Sequence, residues 1–294
     1  MIDSIQIKDF RCIRSAKIDL APLTVFVGPN GSGKSTIVDA LDPQHSRQGV
    51  TTWRRLNGRA AFVASVDGRT TDWTGDTSHP YAAQILHLQP DRLRRANTVA
   101  RADRLALDGS NLANLIATLT RREQEALSKT ACTLIPVIGD VDVQPVANGQ
   151  HQLRFQDRWA PEVWYAPSEV SDGTMLVIAF LALQYQPATV DLLAIEDAEH
   201  ALHPYLLSEL VKLLRKLAMG QLGPRKIQVV ATTHSAELLD YLEPNEVRFV
   251  SRNPSDGSVT VDAVDTTTPS WKQTYEEYKH SLADVWLSGG AGGV

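Results

Sequence analysis

Residues 28–35 read Gly28-Pro29-Asn30-Gly31-Ser32-Gly33-Lys34-Ser35. This GxxxxGK[ST] spacing constrains the fold more than any other feature, because such a turn belongs between a strand and a helix. Both flanks are present. Leu23-Thr24-Val25-Phe26-Val27 is a continuous apolar run suited to a buried central strand, and Lys34 to Leu41 reads as a helix. Glycines let successive N–H groups turn inward and approach phosphate oxygens closely. The start of the helix adds partial positive charge. Asn30, Gly31, Ser32, Gly33, Lys34, Ser35 and Thr36 are therefore expected to cradle nucleotide phosphates. Lys34 would reach the β- and γ-phosphates, and the Ser35 hydroxyl would ligate Mg2+.

A cradle of this kind needs acids on a neighbouring strand. Leu192-Leu193-Ala194-Ile195-Glu196-Asp197 is an apolar run ending in two carboxylates. Glu196 is expected at the metal shell and Asp197 as the base that orients or deprotonates the attacking water. The plainer alternative is acidic capping of the next helix. Glu199 and His203 follow in Ala198-Glu199-His200-Ala201-Leu202-His203-Pro204. Ile227 to Thr233 is again apolar and ends at His234-Ser235, which places His234 at the γ-phosphate or the water. Glu169-Val170-Ser171-Asp172-Gly173-Thr174 precedes an apolar helix that Ser171 would cap, leaving N–H groups able to hold an anion.

The rest of the chain supplies the frame. Ile5, Ile7 and Phe10 alternate with polar residues. Ala60–Val66 and Thr70–Trp73 read as a hairpin across Asp67-Gly68, and Val141–Val146 and Gln152–Phe155 as another across Asn148-Gly149. Residues 43–80 are rich in Gly, Thr, Ser, Asp and Trp; Ile85–Leu88 suggests a strand, and 91–130 reads as helical. From Asp172 onward, helices alternate with strands, which implies a largely parallel sheet covered by helices. The expected fold class is therefore α/β, with a mixed or parallel central sheet, an N-terminal antiparallel β subdomain and a short helical lobe. The expected divisions are 1–90 for the first part of the core, 91–160 for the lobe and its hairpin, and 161–294 for the second part of the core.

Composition bounds the alternatives. At 294 residues, 43% hydrophobic and 21% charged, the chain can bury a full core. A net charge of -5 argues against wrapping nucleic acid over the whole surface, so any DNA contact has to be local. Cys12 and Cys132 form no CxxC pair, which fits a reducing cytoplasm. The N-terminus lacks the pattern of a secretory signal. Thr174 to Ile195 is broken by Gln184, Gln186, Pro187 and Asp191, so no membrane span is expected.

The order of these motifs carries a resemblance. Gly-Pro-Asn-Gly-Ser-Gly-Lys-Ser, Val-Ser-Asp-Gly-Thr, Ile-Glu-Asp-Ala-Glu-His-Ala-Leu-His-Pro and Thr-Thr-His-Ser resemble the ABC-type ATPases of the RecF, SMC and OLD group, in particular the small stand-alone AAA-family members. Ile7-Lys8-Asp9-Phe10-Arg11-Cys12-Ile13 is similar to that group's opening strand, which implies a nucleotide contact for Arg11. The likeness is dense over 1–42 and 163–251 and thin over 43–162. It implies a P-loop NTPase head that binds ATP with Mg2+ and pairs head to tail. ATP would lie between the turn of one copy and Ser171–Thr174 of the other, with Ser171 and Gly173 on the γ-phosphate. It also implies a switch in DNA repair or phage defence, beside a separately encoded nuclease of TOPRIM or HNH type.

Three departures stand out. The family's metal carboxylate is often Asp and its base Glu, whereas here they are Glu196 and Asp197, and the shorter base implies slow turnover. Ala198 stands where the family often has Pro. Gln89 is the expected metal-side glutamine, with Gln84 as the alternative. Two alternatives of function are a transporter subunit, disfavoured by the Ser-Asp-Gly-Thr signature, and a regulatory head that holds ATP with little hydrolysis. Arg92, Arg94, Arg95, Arg101, Arg104, Arg121 and Arg122 form either a DNA-backbone patch or a solvated face balanced by acids. No heptad pattern persists for a long coiled coil. Residues 270–287 read as one amphipathic helix rich in aromatics, ahead of a glycine-rich tail at 289–294.

Overall fold

The computed structural model describes residues 1–42, 52–53, 59–73, 80–200, 202–221 and 226–289. Much of the 43–80 segment and nearly all of the glycine-rich tail lie outside the described residues. The chain opens with β1 (Ile2–Phe10), β2 (Ile13–Asp19), β3 (Leu23–Val27), α1 (Lys34–Leu41), β4 (Ala61–Val66), β5 (Arg69–Trp73) and β6 (Ala83–Leu86). A lobe follows, with α2 (Pro90–Leu93), β7 (Asn97–Thr98), α3 (Leu112–Thr118), α4 (Arg121–Leu134), β8 (Ile138–Val146), β9 (Gln150–Asp157) and β10 (Trp164–Tyr165). The chain then runs through α5 (Asp172–Leu183), β11 (Leu192–Ile195), α6 (Leu207–Ala218), β12 (Gln228–Thr233), α7 (Ala236–Leu239), β13 (Val247–Arg252), β14 (Val259–Ala263), α8 (Pro269–Glu277) and α9 (Leu282–Leu287).

The central sheet has the order β14-β13-β3-β12-β11-β6. Every neighbour pair from β13 to β6 is parallel, and only β14 is antiparallel. All five residues of β3, all four of β11 and all six of β12 are buried, as continuous apolar strands require when both faces are covered. One face packs on α5 and α6. Gly173 to Leu183 of α5 is buried throughout, and α6 buries Leu207, Leu210, Val211, Leu214 and Leu217 on one helical stripe. The other face meets α1 and a second sheet, β2-β1-β4-β5, whose alternating Ile5, Ile7, Phe62 and Ala64 point into the same core as Ile37 and Leu41.

Two expectations on secondary structure need correction. Residues 91–130 are not one helical region: after the four-residue α2 the chain winds without helix to Asn111. Polar side chains tie that stretch to itself, with Asn97 Nδ2 donating to Ser110 O at 2.6 Å and Asn111 Nδ2 to Arg104 O at 2.9 Å, while Gly109 sits at φ 80°. The third sheet has the order β10-β9-β7 with β8 on β9, and pairs Trp164 and Tyr165 with Gln156 and Phe155. The C-terminal helix is two helices, broken where Lys279 and His280 turn left-handed at φ 51° and 65°. Trp286 of α9 is core, and Trp271 of α8 is half-buried against Tyr275, with ring centres 5.4 Å apart.

Candidate functional site

The site forms at the carboxyl ends of four adjacent parallel strands, the place where open α/β sheets bind ligands. The glycine turn leaves β3, His234 leaves β12, Glu196 and Asp197 leave β11, and His87 to Gln89 leave β6.

At the turn, two glycines are dictated by space. A Cβ on Gly28 would stand 2.2 Å from Val250 O, and one on Gly33 would stand 2.5 Å from Val259 Cγ2. Gly33 also adopts φ 113°, and no side chain caps α1, so its first N–H groups face outward from the protein's own bonding. Asn30, Gly31 and Ser35 are exposed, whereas the Ser32 hydroxyl is buried with no partner. Lys34 is buried and donates to Gly28 O at 2.7 Å and Pro29 O at 3.1 Å. Burial pushes its ammonium below the usual lysine range, and the carboxylates of Asp197 and Glu199 partly restore it.

Arg11 sits in the two-residue turn between β1 and β2 at φ 49°, behind α1. Its guanidinium pairs with Asp39 and lies 4.8 Å over the Phe10 ring. The next residue, Cys12, donates from Sγ to Thr36 Oγ1 at 3.2 Å. The Thr36 hydroxyl therefore anchors the opening hairpin to the cradle helix.

The two acids diverge. Glu196 is buried, its N–H bonds Leu86 O at 2.9 Å, and its Oε2 lies 3.4 Å from His87 Nδ1. Asp197 takes a left-handed backbone at φ 46°, which Asp tolerates better than most residues. Its N–H donates to Thr232 Oγ1 at 2.9 Å, and its Oδ1 lies 3.5 Å from His234 Nδ1. Asp197, Glu199 and His234 each offer one ligand atom within 4.8 Å of the others. A cleft of about 420 Å³ joins His87, Gln89, Asp172, Glu196, Asp197 and His200. Gln89 thus opens onto the acids. Gln84 does not, since its amide is buried and spent on Leu105 O at 2.8 Å and Gln186 Nε2 at 2.7 Å.

Ser171 caps α5, its Oγ accepting from Thr174 N at 3.1 Å, and both Ser171 and Asp172 are exposed. Arg94 staples this segment through Asp172 at 2.8 Å and Val170 O at 2.6 Å. A Cβ on Gly173 would meet Leu206 Cδ1 at 3.3 Å and Leu202 Cδ2 at 3.5 Å. The arginine cluster is largely committed within the chain. Arg92 faces Asp108 at 3.7 Å, Arg101 faces Asp103 at 2.8 Å, Arg121 faces Glu125 at 3.1 Å, and Arg104 reaches Ala83 O at 3.4 Å. That is the pattern of a balanced face.

Sequence reading gave no role to three residues of this site. His87 follows an apolar strand, which is a weak signal. Arg252, at the end of β13, donates to Gly31 O at 2.9 Å. Glu199, two residues past Asp197, is buried and bonds the end of β12.

Residues 76–240 match the family described as "AAA domain, putative AbiEii toxin, Type IV TA system". The chain belongs to this AAA-domain family. Residues 1–47 also match the family described as AAA ATPase domain. A 42-residue stretch is 50% identical to an OLD nuclease of Thermus scotoductus; it is 14% of this chain and spans only 8% of that protein. Among solved structures the fold is similar to an SMC head bound to the C-winged helix domain of ScpA, at TM-score 0.60 and 14% identity over 90% of this chain and 98% of that one. It is likewise similar to the SMC head domain of Thermotoga maritima, at TM-score 0.58 and 14% identity over 90% and 99%. The AAA-domain chain thus has the P-loop head fold of the SMC head domains. Among its described residues no helix is long and apolar enough to cross a membrane.

Proposed function

We propose that the protein binds ATP with Mg2+, hydrolyses it slowly, and uses it as a head-to-tail clamp between two copies. This clamp would be the switch of a DNA-repair or anti-phage system that includes a separately encoded nuclease-like partner. The observation that carries the reading is convergence: four adjacent strand ends deliver the glycine turn, the paired acids, His234 and Gln89 to one edge of the sheet. The part-match to an OLD nuclease supports a nuclease link, and the net charge of -5 favours local DNA contact, if any.

The residues fit a magnesium triphosphate. Gly28 and Gly33 leave room only for backbone, and the buried Ser32 hydroxyl is unpartnered. Ser35, Glu196 and Gln89 are hard oxygen donors of the kind Mg2+ takes. When bound, the ion neutralises the phosphate oxygens and polarises the bond to be broken. Within the chain, Lys34 leaves the Gly28 and Pro29 carbonyls for the β- and γ-phosphates. Asp197 accepts the proton of the attacking water, and His234 orients that water or the γ-phosphate. Exposed Ser171 and the α5 start at Gly173 behind it serve the partner's nucleotide.

The shortened base, held at φ 46°, favours low turnover, so ATP residence rather than flux sets the switch. Steady-state phosphate release on wild type, Lys34→Ala and Asp197→Asn tests the reading. The expected result is lost ATP binding for Lys34→Ala. Asp197→Asn should retain binding with turnover reduced at least about 100-fold, the scale of general-base loss. Equal turnover in all three would rule out this site.

A further inference from the structure

Glu199 is a carboxylate 9% exposed, and such burial is costly unless the charge is used. Its Oε1 accepts from the Thr233 hydroxyl at 2.7 Å and from the His234 N–H at 3.2 Å, and it lies 3.7 Å from His234 Nδ1. Its Oε2 is buried with no hydrogen-bond partner, and its charge acts on Lys34. Thr233 in turn receives the Ser235 N–H at 3.0 Å, which starts α7. On the acid side, Ala198 N donates to Thr232 O at 3.3 Å and Asp197 N to Thr232 Oγ1 at 2.9 Å. The ends of β11 and β12 are thus laced together across Asp197, Glu199, Thr232, Thr233 and His234, and Glu199 is the charged centre of the lacing.

We propose that Glu199 is a positioning residue of the hydrolytic site. It rests on the reading above and adds to it a third acid that acts through Thr233 and His234. Its Oε1 holds the backbone N–H of His234, and the carboxylates of Glu199 and Asp197 flank His234 Nδ1 at 3.7 and 3.5 Å. The base and the γ-phosphate sensor then hold one geometry and move together. Deleting the carboxylate frees the β12 end from the segment that carries Asp197. Misplacement of a catalytic group by about 1 Å costs on the order of 100-fold in rate.

The variants Glu199→Ala, Glu199→Gln and Thr233→Val separate this role from a structural or an electrostatic one. Glutamine keeps an oxygen acceptor for Thr233 and His234 and removes the charge. The expected kcat of Glu199→Ala is lower by about 100-fold with the Kd for ATP within threefold, and Glu199→Gln recovers to within about tenfold of wild type. Thr233→Val, which removes one of the two donors, falls between them. Histidine-resolved NMR without nucleotide should show the His234 ring resonance shifted in Glu199→Ala and near its wild-type position in Glu199→Gln. An unchanged His234 resonance in Glu199→Ala, or equal loss of kcat in both Glu199 variants, would overturn the proposal. The NMR readout needs no hydrolysis, so a wild type that turns over no ATP would sink the enzymatic reading while leaving the Glu199 contact tested by its own signal.

Discussion

Glycines of the phosphate turn are there for different reasons, and the difference is measurable. Gly31 at φ 78° has no atom within 4 Å of an added Cβ, so Gly31→Ala is charged only for a left-handed backbone, roughly 1–2 kcal/mol. Gly28 has ordinary φ but would drive a Cβ to 2.2 Å from the Val250 carbonyl, a backbone atom of β13 that cannot swing away. Gly28→Ala therefore has to part β3 from β13. It should cost more than about 2 kcal/mol, at the upper part of the overpacking range, and exceed Gly31→Ala in urea unfolding. The reverse order would mean that the turn, not the sheet behind it, bears the strain. Both residues were legible as motif glycines. That β13 crowds one of them was not, because β13 lies more than 200 residues away in the chain and becomes its neighbour only through parallel pairing with β3.

At the level of elements, the start of α5 shows how a cap is converted to a surface. Ser171 bonds Thr174 N, Arg94 grips Asp172 and Val170 O, and Leu202 and Leu206 close beneath Gly173. The buried body of α5 fixes the axis, and these contacts fix which residues stand out from it. Replacing the cap in Ser171→Ala should cost about 1 kcal/mol in urea unfolding, whereas Ser171→Asn should cost little because asparagine caps as well as serine. The cap, the central strands and both early hairpins were readable from spacing, since local rules place them. Residues 94–111 and the break at Lys279–His280 were not. In each, side-chain bonds or left-handed residues interrupt a composition that favours helix. Nor could sequence reveal that Arg94 holds the start of α5, because its partners lie 76 and 78 residues away.

For the molecule as a whole, the start of α5 and the phosphate turn lie on the same chain, and both present exposed polar groups, at Ser171 and Asp172 and at Asn30 and Ser35. A rotation that brings one copy's Ser171 to the other's turn brings the reverse pair together as well, so one contact implies two nucleotides. The γ-phosphate is the group that distinguishes ATP from ADP in this arrangement, and only differential contact with it can shift the monomer–dimer equilibrium. Mass measurement with ATP and Mg2+ on Asp197→Asn, which retains nucleotide, should therefore give a dimer, and ADP should give the monomer. Ser171→Asn isolates the surface from the cap: it should keep the fold and the ATP affinity of the monomer, yet in the proposed clamp its larger amide would stand in the place of the partner's phosphate. It should remain monomeric with ATP. Dimerisation of Ser171→Asn to wild-type extent would place the junction elsewhere on the surface, and a monomeric Asp197→Asn with ATP bound would exclude the clamp while leaving the nucleotide site intact.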